Sequence, residues 1–119
     1  MSNFISLQQA IDMTTRYRNE MGQIVSPLYA GKDILPICEK FDQQAFASLL
    51  GEPGCVAVRI YLGMDPDLKI RLIAVGVNDQ DQDIIPASAG AGQASTEPYI
   101  IEDGIRCPDI CPASSPLNT

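Results

Sequence analysis

The stretch between Cys55 and Val77 constrains the chain more than any other. Val56, Val58, Ile60 and Leu62 alternate with other residues, and Lys69–Val77 is equally rich in aliphatic and β-branched side chains. A period of two is the pattern of a strand with one buried face. Between the two runs, Asp65-Pro66-Asp67 puts proline at the second position of a type I turn. A hairpin centred on Pro66-Asp67 pairs Leu62 with Arg71, Ile60 with Ile73, Val58 with Val75 and Val56 with Val77. That register collects the aliphatic side chains on one face, and a one-residue slip would divide them. The reverse face then holds Ala57, Arg59, Tyr61 and Gly63 opposite Gly76, Ala74, Leu72 and Ile70. Small residues there let another layer come close. The plain reading is a partly solvated or helix-covered face. The sharper one is a homodimer surface with Arg59, Tyr61 and Leu72 as interface candidates, two of them types enriched at interfaces.

Two helices flank this hairpin on its N-terminal side. Ser6 is placed as an N-cap, Gln9 completes a capping box, and Ile5 with Ala10 forms a modest staple. Leu7, Ala10, Ile11, Thr14, Tyr17 and Met21 recur at helical spacing, and Gly22 supplies a stop, which predicts a helix over 7–21. Asp42 reads as the N-cap of a second helix over 43–50, with Ala45, Phe46, Leu49 and Leu50 as its buried side and Gly51 after it. Residues 23–41 carry short apolar pairs interrupted by Pro27 and Pro36, so they read as edge strand or extended loop. Glu52-Pro53-Gly54 is a turn.

The C-terminal third has a different character. Residues 1–78 hold 7 basic and 8 acidic side chains, whereas 79–119 hold Arg106 alone against 7 acidic ones. From Pro86 to Glu97 the chain is Ala, Ser, Gly and Thr with no large apolar side chain, the composition of a linker. Tyr99–Glu102 predicts a strand, Asp103-Gly104 a tight turn, and Ile105–Cys107 a return. The expected organisation is a single α+β domain over 1–85 with a small antiparallel sheet on the 55–77 hairpin, packed against helices 7–21 and 43–50. A flexible linker over 86–97 and an acidic tail over 98–119 follow. That tail, through Tyr99 and Ile101, either pairs with a sheet edge or extends to another molecule.

Several functions are disfavoured by composition. No run approaches the ~18–20 apolar residues of a membrane span. A net charge of −7 would repel a phosphate backbone, so no nucleic acid is expected as partner. There is no histidine, which removes the commonest general base and metal ligand. Residues 1–6 have neither basic nor apolar character of a secretory leader, so a cytoplasmic protein with reduced cysteines is expected.

Cys107 and Cys111 are the most conspicuous chemical pair. Their C-x₃-C spacing, with proline after each, departs from the C-x₂-C knuckle of zinc sites and from the C-x-x-C of redox helices. Cys38 and Cys55 could complete a four-sulfur set, but they form no knuckle and read as small core residues. A disulfide between Cys107 and Cys111 is sterically possible across a Pro108-Asp109 turn. Asp79, Asp81 and Asp83 alternate as in a calcium loop, yet Ile84 and Gly90 stand where such a loop needs Gly and Glu. A solvated acidic strand exit is the better reading. Lys32, Lys40 and Lys69 have no motif around them, and Gly90-Ala91-Gly92 is no phosphate loop. No catalytic residue, cofactor or resident metal is assigned.

Residues 5–7 leading to Met13-Thr14-Thr15-Arg16, then Ile34-Leu35-Pro36, Gly54-Cys55, Arg59-Ile60-Tyr61 and Gly63-Met64-Asp65 together resemble a group of small uncharacterised bacterial proteins, of Bacteroidetes type. The ending from Gly104 through Cys107-Pro108-Asp109-Ile110-Cys111-Pro112 to Asn118 is similar to theirs as well. This resemblance implies a bacterial cytoplasmic protein and no activity. The leading expectation is a non-enzymatic interaction or assembly module, self-associating. The alternatives are a thiol or metal module on the C-terminal cysteines, and a small enzyme with carboxylates beside Arg59 or Arg71.

Overall fold

Leu68 sets the register of the central hairpin. The computed structural model describes residues 3–86, 99–102, 104–107 and 110–119. In it β2 (Ala57–Met64) and β3 (Ile70–Val77) pair antiparallel, with Ala57 opposite Val77, Tyr61 opposite Ile73 and Met64 opposite Ile70. This is one residue away from the register centred on Pro66-Asp67. The turn explains the difference. Leu68 N–H donates to Asp65 O, Asp65 N–H donates to Lys69 O, and Leu68 stands at φ 68°. A type I turn followed by a left-handed residue is a bulged hairpin connection, and its extra residue moves one strand by one place.

The slip exchanges the faces. Val58, Ile60, Leu62 and Met64 now share a face with Gly76, Ala74, Leu72 and Ile70, while Arg59, Tyr61 and Gly63 lie with Val75, Ile73 and Arg71. The small-residue reverse face expected from the sequence is therefore not formed. Gly76 and Ala74 lie opposite Val58 and Ile60 instead, and Leu72 is on the face away from Arg59 and Tyr61.

The loop from β3 to β4 (Asp83–Ile84) repeats the same construction. Asn78 N–H donates to Gln82 O, Asp81 N–H donates to Asn78 O, and Asp81 stands at φ 63°. In both loops the side-chain Oδ1 of the first residue accepts two further N–H groups. Asp65 takes those of Asp67 and Lys69, and Asn78 those of Gln80 and Gln82, all at 2.9–3.0 Å. Asp79-Gln80-Asp81 is thus a hairpin loop and not the opening of a calcium loop.

β3 is the central strand. Hydrogen-bonded pairs alternate along a ladder. Since Asp65 bonds Lys69, the N–H and C=O of Ile70, Leu72, Ala74 and Gly76 point to the edge away from β2. That edge is taken along its length. β4 pairs at Gly76 and Val77, and β5 (Ile100–Ile101) at Ala74 and Val75. Among the described residues no strand pairs with this edge at Ile70 and Leu72; Ile34 O, Arg106 Nε and Glu39 Oε2 serve there, at 2.8, 2.9 and 3.2 Å. Ala74, Val75 and Val77 are accordingly buried, as is Leu49 of α2 (Gln43–Leu50). A Cβ on Gly76 would stand 3.0 Å from Cys55 Sγ, so glycine is what lets the Cys55 side chain lie against β3.

A second, two-stranded sheet joins β1 (Cys38–Lys40) to β6 (Ile105–Cys107). The residues assigned to the tail thus supply β5 and β6, which pair with β3 and β1 and not with each other. The linker residues 87–97, Asp103 of the expected turn and Pro108-Asp109 lie outside the described residues.

α1 spans Leu7–Ile24, with the capping box in place: Ser6 Oγ accepts from Gln9 N–H and Gln9 Oε1 from Ser6 N–H. It runs through Gly22, which the sequence reads as a stop, and ends where Ser26-Pro27 forces extended backbone. None of its residues is buried. Its ties are specific ones: Tyr17 OH donates to Pro36 O at 2.6 Å, and Arg18 donates to Leu117 O and Thr119 O. α2 covers the sheet; the apolar stripe of α1 stays half-exposed, with Leu7 open to solvent.

Candidate functional site

The outer edge of β2 pairs with no strand among the described residues. By the alternation of the ladder, the N–H and C=O groups of Val58, Ile60, Leu62 and Met64 point out along that edge. The same side chains form an apolar strip, with Ile60 53%, Leu62 74% and Met64 56% exposed. α2 covers the Gly76 end of this face, and the strip lies beyond it.

The opposite face of β2 carries a polar cluster. Arg59 Nη1 donates to Asp83 Oδ1, Arg59 Nη2 to Asp81 Oδ1 at 2.6 Å, and Tyr61 OH to Asp83 Oδ2. Arg59 and Tyr61 stand two residues apart on one strand, so they share a face, and the bulged loop delivers both aspartates to them. Both oxygens of Asp83 are occupied. The hydrogen bond from Tyr61, with Arg59 beside it, holds the Asp83 carboxyl below its ordinary range. The same bond pushes the Tyr61 phenol up, and Asp83 does likewise for the Arg59 guanidinium. The acidic strand exit is thus solvated at Asp79 and Asp81, the latter 87% exposed, while Asp83 is mostly covered and serves with Asp81 as the counter-charge of Arg59.

A shallow recess of about 530 Å³ adjoins this cluster, between Pro53, Gly54 and Val56 on one side and Asn78, Asp79 and Asp83 on the other. General acid–base work at neutral pH calls for a carboxyl raised toward pH 7. Asp83 is shifted the other way and its lone pairs are engaged, so it is a structural anion in this arrangement.

A second ionic cluster surrounds Arg71. Its Nε lies 3.2 Å from Asp65 Oδ2 and 3.9 Å from Glu102 Oε1, and its Nη1 lies 3.7 Å from Glu39 Oε1. The backbone N–H of Lys69, then Arg71, keep the Asp65 carboxyl low. Glu39 is fully covered, and a Cβ on Gly104 would come within 2.6 Å of its Cγ. Arg106, which the sequence marks only as the single base of an acidic segment, is 1% exposed. It donates to Ile70 O, Asp33 O and Ile34 O at 2.9, 2.6 and 2.8 Å. No local pattern announces such a residue. These groups fasten the two sheets together.

The remaining candidates are placed as follows. Tyr99 N–H donates to buried Glu52 at 3.0 Å, and Ile101 pairs with Ala74, so both belong to the domain's own packing. Cys107 and Cys111 are joined by a disulfide with a Cα–Cα separation of 4.5 Å, where reduced thiols were expected. The bond consumes the thiolates that a metal would need. Cys38, read from the sequence as core, is exposed on β1; Cys55 is half-buried and its Sγ donates to Ala57 O. Among the described residues no three Cys, Asp or Glu side chains converge as metal ligands.

No family model, curated protein or solved structure matches this chain. Among the described residues, no helix is long and apolar enough to cross a membrane.

Proposed function

We propose that the protein is a non-enzymatic assembly module that self-associates by antiparallel pairing of β2 with β2 of a second copy. The observation that carries this reading is the unprotected edge. Natural edge strands are blunted by proline, lysine, bulges or a covering element. Ala57–Met64 runs for 8 residues with none of these among the described residues, and its one charge, Arg59, is neutralised by Asp81 and Asp83.

The strand is also complementary to itself. A two-fold axis at Ile60 puts Ile60 opposite its own copy and Val58 opposite Leu62. The apolar strips then merge into one face, and the outward N–H and C=O groups of Val58, Ile60 and Leu62 satisfy one another. On the reverse face the axis sets Arg59 against Tyr61 of the other copy, a favourable cation–π geometry. An axis at Arg59 would oppose two guanidinium groups, and one between residues would set apolar against polar positions.

In a background lacking Cys38 and Cys55, Ile60→Cys is expected to form a disulfide-linked dimer under mild oxidation, because opposed residues lie within the Cα window of a disulfide. Ile60→Lys is expected to be monomeric by light scattering. A parent protein that stays monomeric up to ~1 mM, a Kd level worth only about 4 kcal/mol, removes the proposal.

A further inference from the structure

The β1–β6 ladder sets Cys38 directly across from Cys107, and Cys107 is the sulfur already bonded to Cys111. Opposed residues of an antiparallel pair have Cα atoms ~4.5–5.5 Å apart, inside the ~4.4–6.8 Å range that a disulfide spans. Cys107 therefore has two cysteines within bonding reach, one four residues along the chain and one across the ladder. The three differ in access. Cys107 is 2% exposed, whereas Cys38 and Cys111 are both open to solvent.

We propose that Cys38, Cys107 and Cys111 form a thiol–disulfide exchange site in which buried Cys107 is the shared sulfur. Cys38 loses its proton to solvent and its thiolate attacks Cys107 Sγ. The Cys38–Cys107 bond forms as the Cys107–Cys111 bond breaks. The electron pair leaves on Cys111 Sγ, which takes a proton from water. No external oxidant is consumed, since one disulfide replaces another. Exchange follows the line of three sulfurs through the central one. Burial of Cys107 closes it to thiols from solution and leaves its ladder neighbour as the attacking group.

The two bonded forms differ in what they present. With Cys107 bonded to Cys111, the segment from Ile110 to Thr119 is tethered beside β6 and Cys38 is a thiol. With Cys107 bonded to Cys38, β1 is stitched to β6 and Cys111 becomes an exposed thiol on the C-terminal segment. That thiol is the modification site, and its chemistry selects low-molecular-weight disulfides and disulfides of other proteins. This inference is independent of the β2 edge.

Tryptic mapping separates the two forms. Trypsin places Cys38 in residues 33–40, and Cys107 with Cys111 in residues 107–119. Exchange thus turns a bond within one peptide into a bond between two. Native Cys55→Ser protein, held without denaturant at pH 8 and quenched with N-ethylmaleimide, is expected to accumulate the linked peptides with the maleimide on Cys111. Maleimide found only on Cys38 over a day, with residues 107–119 internally bonded, overturns the proposal. In a second experiment, Cys111→Ser protein with reduced Cys107 is given oxidised glutathione. The expected product is Cys38 bonded to Cys107, with glutathione released. Glutathione retained on Cys38 beside a free Cys107 overturns it equally.

Discussion

Glu39 and Arg106 face each other across the β1–β6 ladder, yet neither pairs with the other. Each is turned onto the backbone of β3, Glu39 accepting from Leu72 N–H and Arg106 donating to Ile70 O. Two side chains of opposite charge thereby do the work of a strand on the β3 edge away from β2, at a stretch where no strand pairs with it among the described residues. The small sheet is fastened to the large one by these polar groups.

Replacing Arg106 with Met is expected to be among the most damaging single changes. It leaves Ile70 O, Asp33 O and Ile34 O without their donor, and unsatisfied buried acceptors cost ~1–3 kcal/mol each. A loss of about 3–5 kcal/mol is expected in urea unfolding, enough to unfold a marginal domain. A loss below about 1 kcal/mol would mean that water serves these carbonyls.

Leu68→Gly is expected to stabilise. A non-glycine residue in the left-handed region is strained by ~1 kcal/mol or more, a cost glycine removes, and the surface that Leu68 still covers at 38% exposure keeps the net gain below that figure. Deleting Leu68 should do the reverse. The two-residue connection left, Pro66-Asp67, keeps Asp65 opposite Lys69 and so keeps the register, but such a loop needs positive φ, which the ring of Pro66 forbids. Paired denaturation curves check both.

Acid should weaken the fold through Asp65 and Asp83. Both carboxyls are held below their unfolded values, so the unfolded chain binds more protons as pH drops. Their contribution is fully present above the unfolded value near ~4 and is lost as pH falls through the lower folded ones. The urea midpoint should fall between pH 5 and 3, both values being about the ends of that window. Asp65→Asn should flatten the fall.

Self-association should strengthen with salt. Each copy carries −7, and the β2 edge itself is electrically quiet because Arg59 is paired. Repulsion between copies is screened once the Debye length drops to ~10 Å, near 0.1 M. Sedimentation in low and high salt should show tighter dimers in the latter. An interface made of intermolecular ion pairs would weaken instead.

The sequence by itself determined what depends on neighbours along the chain. The capping box at Ser6, the bounds of α2 and the presence of a hairpin over 55–77 are written in spacing, caps and turn residues within a few positions. The hairpin's register was not legible, because Leu68 at the bulge carries none of the glycine or asparagine signal that a left-handed residue usually shows. Tertiary structure decided the rest. Arg106 is bonded to carbonyls 36, 72 and 73 residues away, and Cys38 meets Cys107 only through the β1–β6 ladder. Such partners leave no local pattern, since burial and pairing are set by which segments the folded chain brings side by side.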